Sequence, residues 1–277
     1  MQNNLKNKFF VILFLLISGS LSAQSSKTWF PSDINIQPFT ANFIEPKAGF
    51  AFEMGGKKIR LDISRSQDIL HIDKDNSTLS FGIDLFTFTR LRAESEFHFP
   101  VEAIDYLFGI NSGYKITNDN TEYGLRLRIS HISAHFVDGQ YDYKLNFWRN
   151  GRTATVYTRE FVELFPYYRY DGLRVYAGLT YLFHRKPLDI GREIYQTGFD
   201  YYYTKFDHIY PYVAYDFKLE KINKFSGSNI LTAGIKFGDY ESRGLSISIS
   251  YLSGKSVHGE YYDLNESYTT IGFNFDL

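Results

Sequence analysis

The 277-residue chain contains no cysteine. That excludes a disulfide framework, a thiolate zinc site and a cysteine nucleophile. Neither sign of charge predominates: 30 Lys plus Arg stand against 31 Asp plus Glu, for a formal net charge of −1. With no basic excess to attract a polyanion, nucleic acid is excluded as a dedicated partner. Proline is scarce, 7 residues against 21 glycines, a balance that suits tight turns more than a proline-rich linker. Long apolar runs are lacking too. The longest, FFVILFLLI over 9–17, falls well short of the roughly 20 residues of a membrane helix. Mean hydropathy is −0.28, so a bundle of transmembrane helices is excluded. A transmembrane barrel is not, because its strands show only every second side chain to lipid.

Aromatic residues are what the chain has in quantity: 23 Tyr, 26 Phe and 2 Trp, 18% of the whole. Half-buried strands favour such side chains. Lys6 and Lys8 precede the 9–17 run and SGSLSAQ follows it, which reads as a secretory signal peptide over 1–23 cut after Ala23. No cysteine follows the cut, so a lipid-anchored lipoprotein is excluded. Segment 24–47 carries Pro31, Pro38 and Pro46 and reads as an irregular arm, periplasmic or lumen-entering. Its Trp29, Phe30, Phe39 and Phe43 predict packing against the periplasmic mouth of whatever follows.

From there to the end, apolar and polar residues alternate with a period of two. Leu245, Ile247, Ile249 and Tyr251 alternate with Ser246, Ser248 and Ser250. Twelve such segments fall near 46–54, 58–72, 78–93, 103–116, 121–135, 157–170, 173–183, 192–204, 209–221, 231–238, 245–251 and 265–277. Many exceed the five or six residues usual in globular sheets. A soluble sandwich would carry shorter strands and a generously charged outer face. Here tyrosines gather near strand ends, at Tyr167, Tyr168 and Tyr170, Tyr201 to Tyr203, and Tyr261 and Tyr262, as in the aromatic girdles of membrane barrels. The predicted fold is therefore all-β: a transmembrane antiparallel β-barrel of about twelve strands over 48–277, in the cell outer membrane.

The last segment ends with Thr269, Ile271, Phe273, Phe275 and Leu277 on one face. It resembles the C-terminal strand by which outer-membrane barrels are recognised for insertion, which implies the barrel-insertion machinery and outer-membrane lipids as partners. The stretches WFPSDINIQPFTANFIEPKAGF, HISAH, LRVYAGLTYLFHRKP and YQTGFDYYY resemble an uncharacterised family of Gram-negative outer-membrane β-barrel proteins, a domain of unknown function. That resemblance implies a location and no reaction.

One strand could carry chemistry. In GLRLRISHISAHF the even positions Arg126 and Arg128 cannot cheaply face hydrocarbon, so the odd series should face outward, and with it His131 and Ser133. In YTREFVELFPYYRY, Arg159, Glu163 and Arg169 share the inward parity, leaving Glu160 outward. With both termini periplasmic, all three residues fall near the outer-leaflet rim. A histidine beside a serine can act as its general base, and a carboxylate can orient the imidazole. The pattern resembles outer-membrane phospholipase A, with a His-x-Ser pair and an Asn on the next strand, and lipid A deacylase, with His-x-Ser and a Glu. By that resemblance His131 is the base, Ser133 the nucleophile and Glu160 the orienting acid of a membrane-lipid ester hydrolase. In those enzymes an Asn follows the serine; here Ala134 does.

His131 and His135 form an HxxxH pattern, but four strand residues separate them by about 13 Å, too far for one metal ion. No cofactor is called for; calcium at Asp138 and Asp142 is the one ion to weigh, and it usually needs six or more oxygens. The inward parity collects charges of both signs, including Arg60, Asp62, Asp84, Arg126, Arg128, Glu163, Arg174, Glu193, Asp216 and Lys236. Such a lumen either pairs internally or lines a small polar pore. A non-enzymatic structural barrel or small pore is thus the alternative to the hydrolase.

Overall fold

The computed structural model describes residues 25–276; the predicted signal peptide and Leu277 lie outside them. Twelve antiparallel strands close into a barrel: β2 (Ala48–Glu53), β3 (Lys58–Lys74), β4 (Ser77–Arg92), β5 (Val101–Asn118), β6 (Thr121–Phe136), β9 (Tyr157–Tyr170), β10 (Leu173–Lys186), β11 (Ile190–Tyr202), β12 (Ile209–Ile222), β13 (Lys224–Gly238), β14 (Gly244–Lys255) and β15 (Asn265–Asp276). Each pairs with its successor, and β15 pairs with β2 to complete the ring. Closure leaves no edge to protect. A short β1 (Ser26–Trp29) adds to β3 through residues 70–73, beyond the segment 59–63 that β2 occupies. A two-stranded hairpin, β7 (Tyr141–Asp142) with β8 (Phe147–Trp148), stands in the 137–156 loop.

The alternation sorts the side chains as predicted. Ile83, Leu85, Phe108, Ile110, Leu179, Ile247, Ile249, Ile271 and Phe273 are exposed on the outer wall, while Asp84, Asp105, Arg126, Arg128, Arg174 and Lys236 are buried within. Glu193 is an exception. The buried Ile190, Ile194, Gln196 and Asp200 set the even positions of β11 inward, so Glu193, an odd position, stands on the exposed outer face opposite Tyr181. Three of the girdle tyrosines also point inward. Tyr167 and Tyr261 are buried, and Tyr202 stacks on Tyr212 with ring centroids 5.0 Å apart.

The arm does more than meet the mouth of the barrel: it fills the lumen. Phe39 is fully buried against Phe165, Tyr176 and Tyr167, at centroid distances of 5.2, 4.3 and 6.1 Å. The guanidinium groups of Arg126 and Arg174 lie over its ring. Inner-wall glycines make room for these aromatics. A Cβ on Gly178 would stand 2.4 Å from the Phe165 ring, and one on Gly124 would stand 2.0 Å from Tyr167.

Further along, the buried Glu45 receives both Nη groups of Arg126, at 2.7 and 2.6 Å, and Arg128 donates to Asp84 at 3.0 Å and to the Ile44 carbonyl at 3.1 Å. Arg174 holds the arm backbone through the carbonyls of Gln37 and Pro38. Buried charges persist only when paired in this way. Beyond Glu45 the chain re-emerges into β2. A cavity of about 240 Å³ remains beside the arm, lined in part by Lys47, Arg60, Asp62, Tyr212, Lys236 and Ser248.

Candidate active site on the outer wall

Two cross-strand rows meet near the rim opposite the chain termini. His131 on β6 stands directly across from Glu160 on β9, and Glu160 directly across from His184 on β10. One step toward the rim, Ser133 stands across from Thr158, and Thr158 across from Lys186. Residues opposed in this way approach within about 5 Å at Cβ. The unbroken alternation of β6 and β9 is what brings His131, Ser133 and Glu160 to one face. Their inward neighbours Ile132, Ala134, Arg159 and Phe161 are buried.

His131 Nδ1 and Glu160 Oε1 are 2.7 Å apart, and the two side chains are about a quarter exposed, 28% and 27%. With Nδ1 donating to the carboxylate, Nε2 keeps the free lone pair. The other carboxylate oxygen accepts from His184 Nδ1, and Thr158 Oγ1 donates to Oε1 at 3.3 Å. Glu160 is therefore fixed from three sides. The Phe108 ring lies against His131, with centroids 4.8 Å apart and planes at 32°. The Ser133 hydroxyl is half-buried, two residues along the strand from His131 and hydrogen-bonded to no other described residue. The structure thus joins His131 to Glu160 and leaves Ser133 adjacent but unengaged.

His184 escapes a reading by parity. Counting from Leu173, it belongs to the inward series, but an irregularity between Leu182 and His184 inserts Phe183 and turns His184 outward. A bulge at a strand end leaves no mark in the alternation until its partner strand is known.

The acidic loop residues are otherwise occupied. Asp142 pairs with Arg149 at 3.0 Å and accepts from the backbone N–H groups of Lys144 and Leu145, and Asp138 accepts from the N–H of Gly139. No group of three or more His, Cys, Asp or Glu suited to a metal ion occurs among the described residues.

In fold, the chain is similar to outer membrane phospholipase A from Escherichia coli, with a TM-score of 0.50 at 13% identity over 79% of this chain and 78% of that one. An active-site mutant of the same enzyme aligns with a TM-score of 0.52 at 13% identity, over 90% and 92% of the two chains. The beta domain of the Bordetella autotransporter Brka aligns with a TM-score of 0.45 at 12% identity, over 84% and 100%. No curated protein matches the sequence. The model of a protein family of unknown function, DUF1207, matches residues 72–277, and the chain belongs to that family.

Proposed function

We propose that this chain is an outer-membrane enzyme that hydrolyses ester bonds of membrane lipids, with Ser133 as nucleophile, His131 as general base and Glu160 as the carboxylate that orients the imidazole. The observation that carries the reading is the 2.7 Å His131–Glu160 contact on the outer wall, two strand residues from a free serine hydroxyl. A site facing the bilayer lets the ester reach the nucleophile without leaving the membrane. The neighbouring loop supports such contact, since it exposes Tyr143, Leu145 and Val156. The likeness to a phospholipase supports the same chemistry, though at 13% identity the likeness is one of fold.

In this mechanism Ser133 Oγ attacks the ester carbonyl carbon while His131 Nε2 takes the hydroxyl proton. Glu160 accepts the Nδ1–H bond and offsets the imidazolium charge. Collapse of the tetrahedral intermediate breaks the bond to the alcohol oxygen, which receives the proton from His131. Water then attacks the acyl-serine with the same base, and fatty acid leaves. Ser133 Oγ and His131 Nε2 must close together when substrate binds; in a substrate-free site such contacts are often long.

Purified protein in mixed micelles is expected to release fatty acid. Ser133→Ala or His131→Ala should lower the rate by about a thousandfold or more while heat-modifiable migration of the folded barrel persists. Undiminished release by Ser133→Ala would overturn the assignment. The 240 Å³ cavity beside the arm favours one competing reading, a small polar pore. Ion conductance without hydrolysis would select it.

A further inference from the structure

The bulge at Phe183 re-aims two side chains. By unbroken alternation His184 and Lys186 would face the lumen; beyond the bulge both stand outward, opposite Glu160 and Thr158. Lys186 is exposed, and its ammonium pairs with no described residue. It ends the row Tyr106, Ser133, Thr158, Lys186 that crosses β5, β6, β9 and β10. Two strand spacings put its Cα about 10 Å from that of Ser133. Its four-carbon stem can then place the ammonium within the few ångströms that separate an acyl ester from a phosphate on one lipid headgroup.

No carboxylate on this wall stands ready to pair with Lys186: the outward Glu193 lies level with Tyr181 and Val162, four strand residues or about 13 Å below the Thr158 row. Glu160 is held by His131, His184 and Thr158, and Asp189, beyond the end of β10, accepts from the Tyr262 hydroxyl. The nearby guanidinium groups of Arg185 and Arg192 donate to the backbone carbonyls of Ile190, Leu182 and Phe183. The Lys186 ammonium, by contrast, has no described partner, and such a cation at headgroup depth beside a nucleophile fits an anion carried by the substrate itself.

We propose that Lys186 is the specificity-determining residue of this site, binding the phosphate of a phosphate-bearing membrane lipid while Ser133 engages its acyl ester. The proposal rests on the hydrolase reading for its catalytic consequence, but the phosphate contact can be tested without it.

The binding test uses the purified full chain and non-hydrolysable diether lipids, a dialkyl phosphatidylglycerol against the uncharged dialkylglycerol, with native mass spectrometry as readout. The wild type should bind the phosphate lipid about tenfold more tightly. Lys186→Gln should lose that preference, and Lys186→Arg should keep it. Equal selectivity in wild type and Lys186→Gln would overturn the proposal whether or not the protein is an enzyme.

The kinetic test uses mixed micelles of phosphatidylglycerol, lipid A or diacylglycerol. Lys186→Gln should raise KM about tenfold for whichever phosphate-bearing lipid is cleaved, leaving kcat and diacylglycerol turnover unchanged. Preference for phosphatidylglycerol or for lipid A identifies the source of the phosphate. Hydrolysis by the wild type with an unaltered KM in Lys186→Gln would overturn the Lys186 assignment and leave the hydrolase standing. Absence of hydrolysis together with retained phosphate selectivity in binding would do the reverse.

Discussion

At the scale of single residues, the arrangement around Glu160 separates charge from shape. Glu160→Gln preserves the volume and one hydrogen-bond acceptor but removes the charge that offsets an imidazolium, and an amide can hold the ring in the wrong tautomer. In a serine triad the equivalent loss costs about 10⁴ in kcat, so a fall of 10² to 10⁴ in lipid hydrolysis is expected, with KM nearly unchanged. His184 touches Glu160 and not Ser133, which makes it a positioning residue. His184→Asn keeps a donor and should lose less than tenfold, while His184→Phe should lose more; steady-state kinetics on the two variants would check the order. Equal losses would indicate that His184 acts through packing alone. His131, Ser133 and Glu160 could be placed in the sequence because they lie on strands whose alternation is anchored by Arg126, Arg128 and Glu163. His184 could not, because one inserted residue, Phe183, reverses the count.

At the scale of elements, the strands were legible in detail and the arm only in outline. Apolar alternation fixes a strand because each change of face exposes or buries a side chain, so β6 and β9 are found where the pattern puts them. The arm has no such period. Its prolines and aromatics announce that it packs on something, but its partners, Glu45 to Arg126 and Thr40 to Asp200, are 81 and 160 residues distant. Only the closed barrel brings them together. The Glu45 contacts predict a large effect from a small change. Glu45→Ala leaves the buried Arg126 without its bidentate partner, and breaking a buried pair from one side costs about 3–5 kcal/mol. The unfolding temperature in detergent should fall clearly, whereas Glu53→Ala at the rim should shift it little. A Glu45→Ala barrel as heat-resistant as the wild type would show that the arm is dispensable for stability.

At the scale of the whole molecule, the arm and the candidate site occupy opposite sides of the same wall, and this makes pore and enzyme separable. Arg126 and Arg128 face the arm, while His131 and Ser133, further along the same strand, face outward. Removing the arm opens the lumen without touching a side chain of the outer rows. A variant lacking residues 30–45 should therefore raise single-channel conductance in planar bilayers well above that of the intact chain. With Glu45 gone, Arg126, Arg128 and Arg174 line the opened passage. Three acidic partners remain, Asp84 for Arg128, Asp200 for Arg174 and Glu163 for Arg126 and Arg128, so the three arginines stay balanced in charge. The opened passage should discriminate little between anions and cations, and Arg126→Glu in the same deletion should make it favour cations. If the intact chain already conducts as strongly as the deletion variant, the arm does not close the lumen. If conductance rises and lipid hydrolysis falls in parallel, the outer rows depend on the packed interior, and the arm is then a structural support of the site as well as a plug.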